Sequence, residues 1–218
     1  RLGEQVLPKL YGVWENAENI DFEKLPNQFI LKTNNGCHTI CPVLDKSKAS
    51  IEKIKSQFSL WMQKKYGYET AEPHYLKIKP LIIAEELLDN DATFSNSLAD
   101  YKVYCFDGKP YCILVCTDRD SSGSIFSYFD CEWKPLHHVL NEKLRGSDVA
   151  VPKPNCLEQL LADAAILAKG HPQVRVDFYI THDKIYFGEM TFTSEGGYDG
   201  DVTKEFCLEM GKHITLPK

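Results

Sequence analysis

The stretch from Val174 to Thr193 constrains this chain more than any other. Val174, Val176, Phe178 and Ile180 alternate with Arg175, Asp177 and Tyr179. After Thr181-His182-Asp183-Lys184 the alternation resumes, with Ile185, Phe187, Glu189, Thr191 and Thr193 on one face and Tyr186, Gly188, Met190 and Phe192 on the other. A period of two marks a strand, and two such runs around a short polar loop predict a β-hairpin. The flanking positions are apolar or aromatic, so the hairpin reads as central and largely buried. Charges in such a place must be paired or bind a metal. Asp177 and Glu189 face each other only if the ladder is centred on Asp183, which demands an odd-numbered loop. A two-residue His182-Asp183 loop sends Glu189 to the opposite face. When the two do pair, their Cβ atoms lie within ~5 Å, and both stay ionised only with a cation between or beside them. Oxygen ligands suit Mg2+, which takes one or two carboxylates plus substrate phosphates. A structural Arg175–Asp177 or Arg175–Glu189 ion pair accounts for the same residues equally well.

Composition narrows the partners. Lys and Arg number 25 against 31 Asp and Glu, a net charge of −6 with no basic block, which argues against nucleic acid or an anionic membrane as the main partner. No apolar run approaches the ~20 residues of a membrane helix. With 43% hydrophobic and 26% charged residues the chain is neither disordered nor collagen-like, and 218 residues allow one large domain or two small ones. The eight cysteines contain no Cys-x-x-Cys, and Cys105, Cys112 and Cys116 sit in apolar runs. They read as buried thiols of a reducing cytoplasm. No signal peptide is visible. The chain enters directly at Arg1-Leu2-Gly3-Glu4, which reads as the middle of a helix and hence as a fragment.

Along the chain, Phe29-Ile30-Leu31-Lys32 and residues 39–43 read as short strands. Residues 47–66 have helical period, with Ile51, Ile54, Phe58 and Trp61 on one face and Gly67 as a stop. Leu81-Ile82-Ile83-Ala84 reads as a strand ending in Glu85-Glu86. Asp107-Gly108 favours a hairpin between 100–106 and 111–116. A helix is expected over 155–169, with Asn155 and Glu158 as a capping pair, Leu157, Leu160, Leu161, Ala164 and Ala168 as its apolar face, and Gly170 at its end.

The remaining chemical signals are weaker one by one. Lys32 precedes Thr33-Asn34-Asn35-Gly36, and a Lys beside a Gly-containing loop suits phosphate, although Gly-Lys-Ser/Thr is absent and this is no P-loop. His137-His138 lacks a third ligand at a useful spacing, and no nucleophile-elbow Gly-x-Ser-x-Gly is present.

The order of these motifs carries more than any of them. Leu25-Pro26-Asn27-Gln28-Phe29-Ile30-Leu31-Lys32, Asp45-Lys46-Ser47-Lys48, Ile82-Ile83-Ala84-Glu85-Glu86 and Asp100-Tyr101-Lys102-Val103-Tyr104-Cys105-Phe106-Asp107-Gly108-Lys109 come first. Val174-Arg175-Val176-Asp177-Phe178-Tyr179 and Tyr186-Phe187-Gly188-Glu189-Met190-Thr191-Phe192-Thr193 follow. In that order they resemble the ATP-grasp superfamily and, more narrowly, the TupA-like ATP-grasp family of teichuronopeptide biosynthesis. The resemblance implies an α+β fold in which two α+β subdomains clasp a nucleotide between them. It implies that Lys32 contacts the phosphates of ATP and that the loop with Asn34, Asn35 and Gly36, through His38, closes over them. Glu85 and the backbone of Glu86 and Leu88 would hold adenine, with Asp89 at the ribose. Asp177 and Glu189 would bind Mg2+, and the Thr191 hydroxyl would replace the Asn that many members carry. Arg175 would stabilise the transferring phosphoryl group, with Lys102 and Arg119 as further cations for phosphate or substrate. The 34–38 loop has one glycine where members usually have more, and the resemblance implies an upstream segment, with a further basic residue near ATP, that is expected to be missing here.

The activity implied is ligation through an acyl-phosphate in the bacterial cytoplasm, joining an amino acid or peptide to a cell-surface or capsular polysaccharide precursor. The partners are thus carboxylate- and amine-bearing small molecules or a saccharide precursor, with the oligomeric state left open. The alternatives are an ATP-grasp kinase or other phosphotransferase, a polysaccharide-biosynthesis glycosyltransferase, and a degenerate scaffold whose charges form structural ion pairs. The expected organisation is a remnant or linker over 1–24, a smaller lid subdomain over 25–85 and a larger one over 86–218 with the metal-binding hairpin.

Overall fold

The computed structural model describes residues 1–120, 123–141, 150–197 and 199–216. The chain divides into two compact units, one of Pro8–Leu87 and one of Arg1–Leu7 with Leu88–Lys218.

The smaller unit is a four-stranded antiparallel sheet in the order β1-β4-β2-β3. Its strands are β1 (Leu10–Trp14), β2 (Phe29–Thr33), β3 (Ile40–Val43) and β4 (Ile82–Glu85). Period-two patterning puts Phe29, Leu31, Val43, Ile82 and Ala84 on one face, where they are buried with Phe58 of helix α1 (Ile51–Trp61). Ile51, Ile54 and Trp61 of the same helix pack against that core, as their spacing predicts. The opposite face carries Ile30, Lys32, Ile83 and Glu85, placed side by side by the pairs Ile30↔Glu85 and Lys32↔Ile83.

The larger unit is a five-stranded antiparallel sheet ordered β7-β6-β5-β8-β9. The strands are β5 (Asp100–Phe106), β6 (Lys109–Asp120), β7 (Gly123–Asp130), β8 (Gln173–Thr181) and β9 (Lys184–Thr191). One face packs on helix α3 (Leu157–Ala168; a four-residue α2, Tyr66–Glu69, precedes it in the smaller unit), whose Leu157, Leu160, Ala164 and Ala168 are buried against Val103, Val174, Val176 and Phe178. The other face is divided. Its apolar end, with Tyr104, Phe106, Cys112, Leu114 and Tyr128, is covered by Val139, Val202 and Phe206, the last from helix α4 (Lys204–Gly211). Its remaining part carries the charged residues: Asp100, Lys102, Arg175, Asp177 and Glu189 share this face with Thr191 through the ladder pairs Lys102↔Asp177, Asp177↔Glu189 and Arg175↔Thr191. Among the described residues no cysteine is joined in a disulfide.

Several sequence expectations need correction. Glu4–Val6 is a single 3-10 turn, not the middle of a helix, because Pro8 and the extended pairing of β1 take the chain over. Residues 8–24 are not a linker: β1 pairs with β4, and Ala17, Ile20 and Phe22 lie in the smaller unit's core. The helix expected over 47–66 is shorter, and Gly67 does not stop it but sits within α2. A Cβ on Gly67 would meet the Glu72 carbonyl oxygen at 2.5 Å, so close backbone approach is what this glycine permits. Asn155 does not cap α3; its amide donates to Asp183 instead.

The hairpin register is the most informative difference. The loop is the two-residue one, His182-Asp183, both in the left-handed region at φ 50° and 57°, between the pair Thr181↔Lys184. That loop alone would send Glu189 to the face opposite Asp177. Instead the ladder slips by one residue between Phe178↔Phe187 and Asp177↔Glu189, with Gly188 as the extra residue of a β-bulge. The bulge restores the pair that the loop would have broken. A Cβ on Gly188 would lie 3.1 Å from the Asp177 carbonyl oxygen and 3.3 Å from the Tyr179 ring, so the bulge is closely packed. Gly188→Ala is expected to lower stability by about 1–3 kcal/mol, read from the midpoint shift in denaturant unfolding.

Candidate active site

The charged face of the larger unit is built from three neighbouring strands. β5 carries Asp100 and Lys102, β8 carries Arg175 and Asp177, and β9 carries Glu189 and Thr191. Arg119, near the end of β6, joins them. The side chains form a line of alternating charge. Arg119 Nη2 donates to Asp100 Oδ2 at 2.8 Å, and Lys102 Nζ bridges Asp100 Oδ2 at 3.1 Å and Asp177 Oδ2 at 2.5 Å. Arg175 grips Asp177 with Nε on Oδ1 and Nη2 on Oδ2, both at 2.8 Å, and its Nη2 lies 3.7 Å from Glu189 Oε1. The cations Arg119, Lys102 and Arg175 thus match the carboxylates Asp100, Asp177 and Glu189.

Burial sorts these groups. The Asp177 side chain is 2% exposed and that of Lys102 12%. Burial by itself would push the Asp177 carboxyl up, but the Arg175 guanidinium and the Lys102 ammonium outweigh it and hold the group below the usual carboxylate range. Lys102 is likewise pulled down by burial and pushed up further by Asp177 and Asp100, so it stays charged. Glu189 differs: its side chain is 59% exposed. Desolvation and then the Asp177 charge push its carboxyl up, with Lys102 and Arg175 opposing. Of these acids, Glu189 is the one that a further cation would relieve.

Asp177, Glu189 and Thr191 are the residues expected to bind metal, and the structure places them together. Thr191 Oγ1 lies 3.4 Å from Glu189 Oε1 and accepts from Arg175 Nη2 at 3.1 Å. Two carboxylates and a hydroxyl are an oxygen-only set. They fit a magnesium-like ion, which keeps water and phosphate oxygens in its shell. Among the described residues no three His, Cys, Asp or Glu side chains form a metal cage, so Asp177 and Glu189 are joined by Thr191 and not by a third carboxylate.

Arg175 is committed more than its expected role implies. Besides Asp177 and Thr191 it donates to Ser194 Oγ at 2.8 Å. Four hydrogen bonds from Nε, Nη1 and Nη2 stay inside the unit, against the roughly five N–H groups a guanidinium has.

In the smaller unit Lys32 and Glu85 form an ion pair on the face opposite the core, flanked by Ile30 and Ile83. The loop after β2 is less available than expected. Asn34 bonds the Lys79 carbonyl and accepts from the Leu81 N–H at 2.7 Å, fixing the loop to the start of β4. The buried Asn35 donates to the carbonyls of Trp61 and Lys64 at the end of α1 and just beyond it. A Cβ on Gly36 would lie 3.1 Å from Tyr66, so this glycine serves packing. The Glu86 N–H is taken by the Lys9 carbonyl at 2.9 Å, and the Glu86 carboxylate accepts from the Lys9 N–H. Leu88 is half-buried and Asp89 exposed.

Sequence reasoning missed Asp100 and Ser194. Asp100 had a legible signal, since an acid two residues before Lys102 in an otherwise apolar strand occupies the same face. Ser194 had none, because it reaches Arg175 from beyond the end of β9.

Asp177→Asn removes a charge from a buried network and is expected to cost about 3–5 kcal/mol at neutral pH. Because the folded-state value of Asp177 is depressed, its contribution is complete above the unfolded carboxyl value of about 3.9 and is lost as pH falls through the folded value. Unfolding curves of the parent and of Asp177→Asn measured from pH 7 downward are expected to converge only below about pH 4.

The D-alanine–D-alanine ligase from Bacillus anthracis complexed with ATP aligns with a TM-score of 0.53 at 14% identity, over 95% of this chain and 56% of that one. The ATP-grasp ligase PsnB, solved with minimal precursor, Mg and ADP, aligns at a TM-score of 0.41 and 12% identity, over 96% of this chain and 54% of that one. C-terminally truncated Cdc123 from Schizosaccharomyces pombe aligns at 0.49 and 10% identity, over 100% of this chain and 88% of that one. The chain thus spans about half the length of the two ligases. No curated protein matches. No helix among the described residues is long and apolar enough to cross a membrane. The likeness to the first ligase supports an α+β ATP-grasp fold. Residues 2–215 match the TupA-like ATPgrasp family, and the chain belongs to that family.

Proposed function

We propose that this chain carries the nucleotide and metal chemistry of an ATP-dependent carboxylate–amine ligase. The observation that carries the reading is the Asp177–Glu189 pair, set opposite by the Gly188 bulge and flanked by Lys102, Arg175 and Arg119. A surface built only for stability has little use for two facing carboxylates of which one, Glu189, is left exposed with its charge disfavoured.

In this reading Lys32 binds phosphate oxygens, and Glu85, with the backbone of Glu86 and Leu88, holds the base, Asp89 lying at the ribose. Ile30 and Ile83 give that base an apolar surface. Binding the nucleotide requires Lys32 and Glu85 to exchange their mutual ion pair for ligand contacts. Asp177, Glu189 and Thr191 hold Mg2+, which supplies charge neutralisation at the phosphate oxygens. Arg175 keeps Asp177, Thr191 and Ser194 in register. Lys102 and Arg119 offset negative charge that develops as a substrate carboxylate oxygen attacks the γ-phosphorus and the bond to ADP breaks. An amine nitrogen then attacks the acyl carbon of the resulting acyl-phosphate. The C–O bond to phosphate breaks, and the amine's proton leaves with inorganic phosphate.

The acceptors we propose rest on the family resemblance alone. They are an amino acid or peptide and the carboxylate of a cell-surface or capsular polysaccharide precursor, with the reaction set in the bacterial cytoplasm. Calorimetric titration of ATP, with and without Mg2+, tests the core of this reading. Mg2+-dependent binding is expected, weakened at least about tenfold in Glu189→Gln, which loses one metal-ligand charge. Continuous turnover, read as sustained ADP release, is then expected only with a carboxylate and an amine supplied together. Absence of any Mg2+-dependent ATP binding would overturn the proposal and favour a scaffold held by structural ion pairs.

A further inference from the structure

Lys102 occupies an unusual position. Its ammonium lies between two buried carboxylates, 2.5 Å from Asp177 Oδ2 and 3.1 Å from Asp100 Oδ2. Asp177 therefore meets any incoming divalent ion with its charge already compensated by Lys102 and Arg175. A divalent ion beside Asp177 and the Lys102 ammonium would repel each other in a poorly solvated place, where such repulsion is strong. Arg175 is anchored elsewhere, on Thr191 and Ser194, and has little room to leave. Lys102 has an alternative. Asp100 Oδ1 is buried and has no hydrogen-bond partner among the described residues, while Oδ2 is shared by Lys102 and Arg119. A buried carboxylate oxygen without a donor is costly and calls for an occupant in some state of the protein.

We propose that Lys102 is a resident counter-cation for Asp177 in the metal-free protein, and that it shifts wholly onto Asp100, using the unpartnered Oδ1, when a divalent ion takes Asp177. The inference rests on the reading of Asp177 and Glu189 as the metal pair. It makes Lys102 a positioning residue for the metal, and Asp100 the residue that makes its departure cheap.

The test is direct binding of Mn2+ alone, followed by the loss of the free-ion electron paramagnetic resonance signal, with no nucleotide present. Lys102→Met is expected to bind Mn2+ at least about tenfold more tightly than the parent, because the competing cation is gone. Lys102→Arg restores the charge and is expected to return affinity to near the parent value. Asp100→Asn removes the second seat and is expected to weaken binding, which keeps the inference testable if Lys102→Met does not fold. Glu189→Gln in the Lys102→Met background is expected to lose the gain. Lys102→Met binding no more tightly than the parent overturns the inference, as does unchanged affinity in Asp100→Asn. If that result comes with Mg2+-dependent ATP binding by the parent, the ligase reading stands and only the role of Lys102 falls. If no variant binds Mn2+ and the parent binds no ATP, both fall. Tightening in Lys102→Met without ATP binding supports the counter-cation and overturns the nucleotide reading.

Discussion

A carboxylate buried on β8, one strand in from the edge of a five-stranded sheet, is the constraint on which the larger unit turns. Asp177 has almost no access to water, and an isolated charge there would be neutralised or expelled. It remains ionised because Lys102 and Arg175 approach it from the adjacent strand and from its own strand. Those two cations need partners of their own, and Asp100, Glu189, Thr191 and Ser194 supply them. The whole charged face is thus a response to one acid, spread over three strands and the turn that follows them. The apolar end of the same face has no such demand, and α4 covers it with Phe206.

The two sheets illustrate how one rule gives different surfaces. In both, alternation buries one face against a helix, α1 in the smaller unit and α3 in the larger. In both, the remaining face carries the ion pairs. On the smaller sheet the pair of Lys32 with Glu85 sits among Ile30 and Ile83. On the larger sheet the charges are denser, and among its three carboxylates Glu189 is the exposed one.

Much of this is legible in the amino-acid sequence, and most of all in residues 174–193. Alternation places Arg175 and Asp177 on one face, the apolar spacing from Leu157 to Ala168 marks the buried stripe of α3, and the Asp107-Gly108 turn joins β5 to β6. What is not legible has a physical reason. Loop counting assumes a regular ladder, and the Gly188 bulge breaks that assumption without any mark other than a glycine in a strand. The commitments of Asn34 and Asn35 depend on contacts across 45 and 26 residues, beyond the reach of local pattern. Residues 8–24 read as a linker because β1 is short and its partner, β4, lies far along the chain. Membership in the TupA-like ATP-grasp family comes through motif order, which survives such local surprises.

The bulge also separates two properties that a hairpin normally couples. In a regular ladder the length of the loop dictates which residues meet across the strands. Here the extra residue sits at Gly188, several positions from His182-Asp183. Only the number of residues between Asp177 and Glu189 matters to their meeting, not where the surplus one is lodged. Evolution could therefore move the surplus into the loop, as a three-residue turn, and leave the acidic pair intact. The tip of the hairpin is free to change its shape and its surface while the acids on either side of it keep their places.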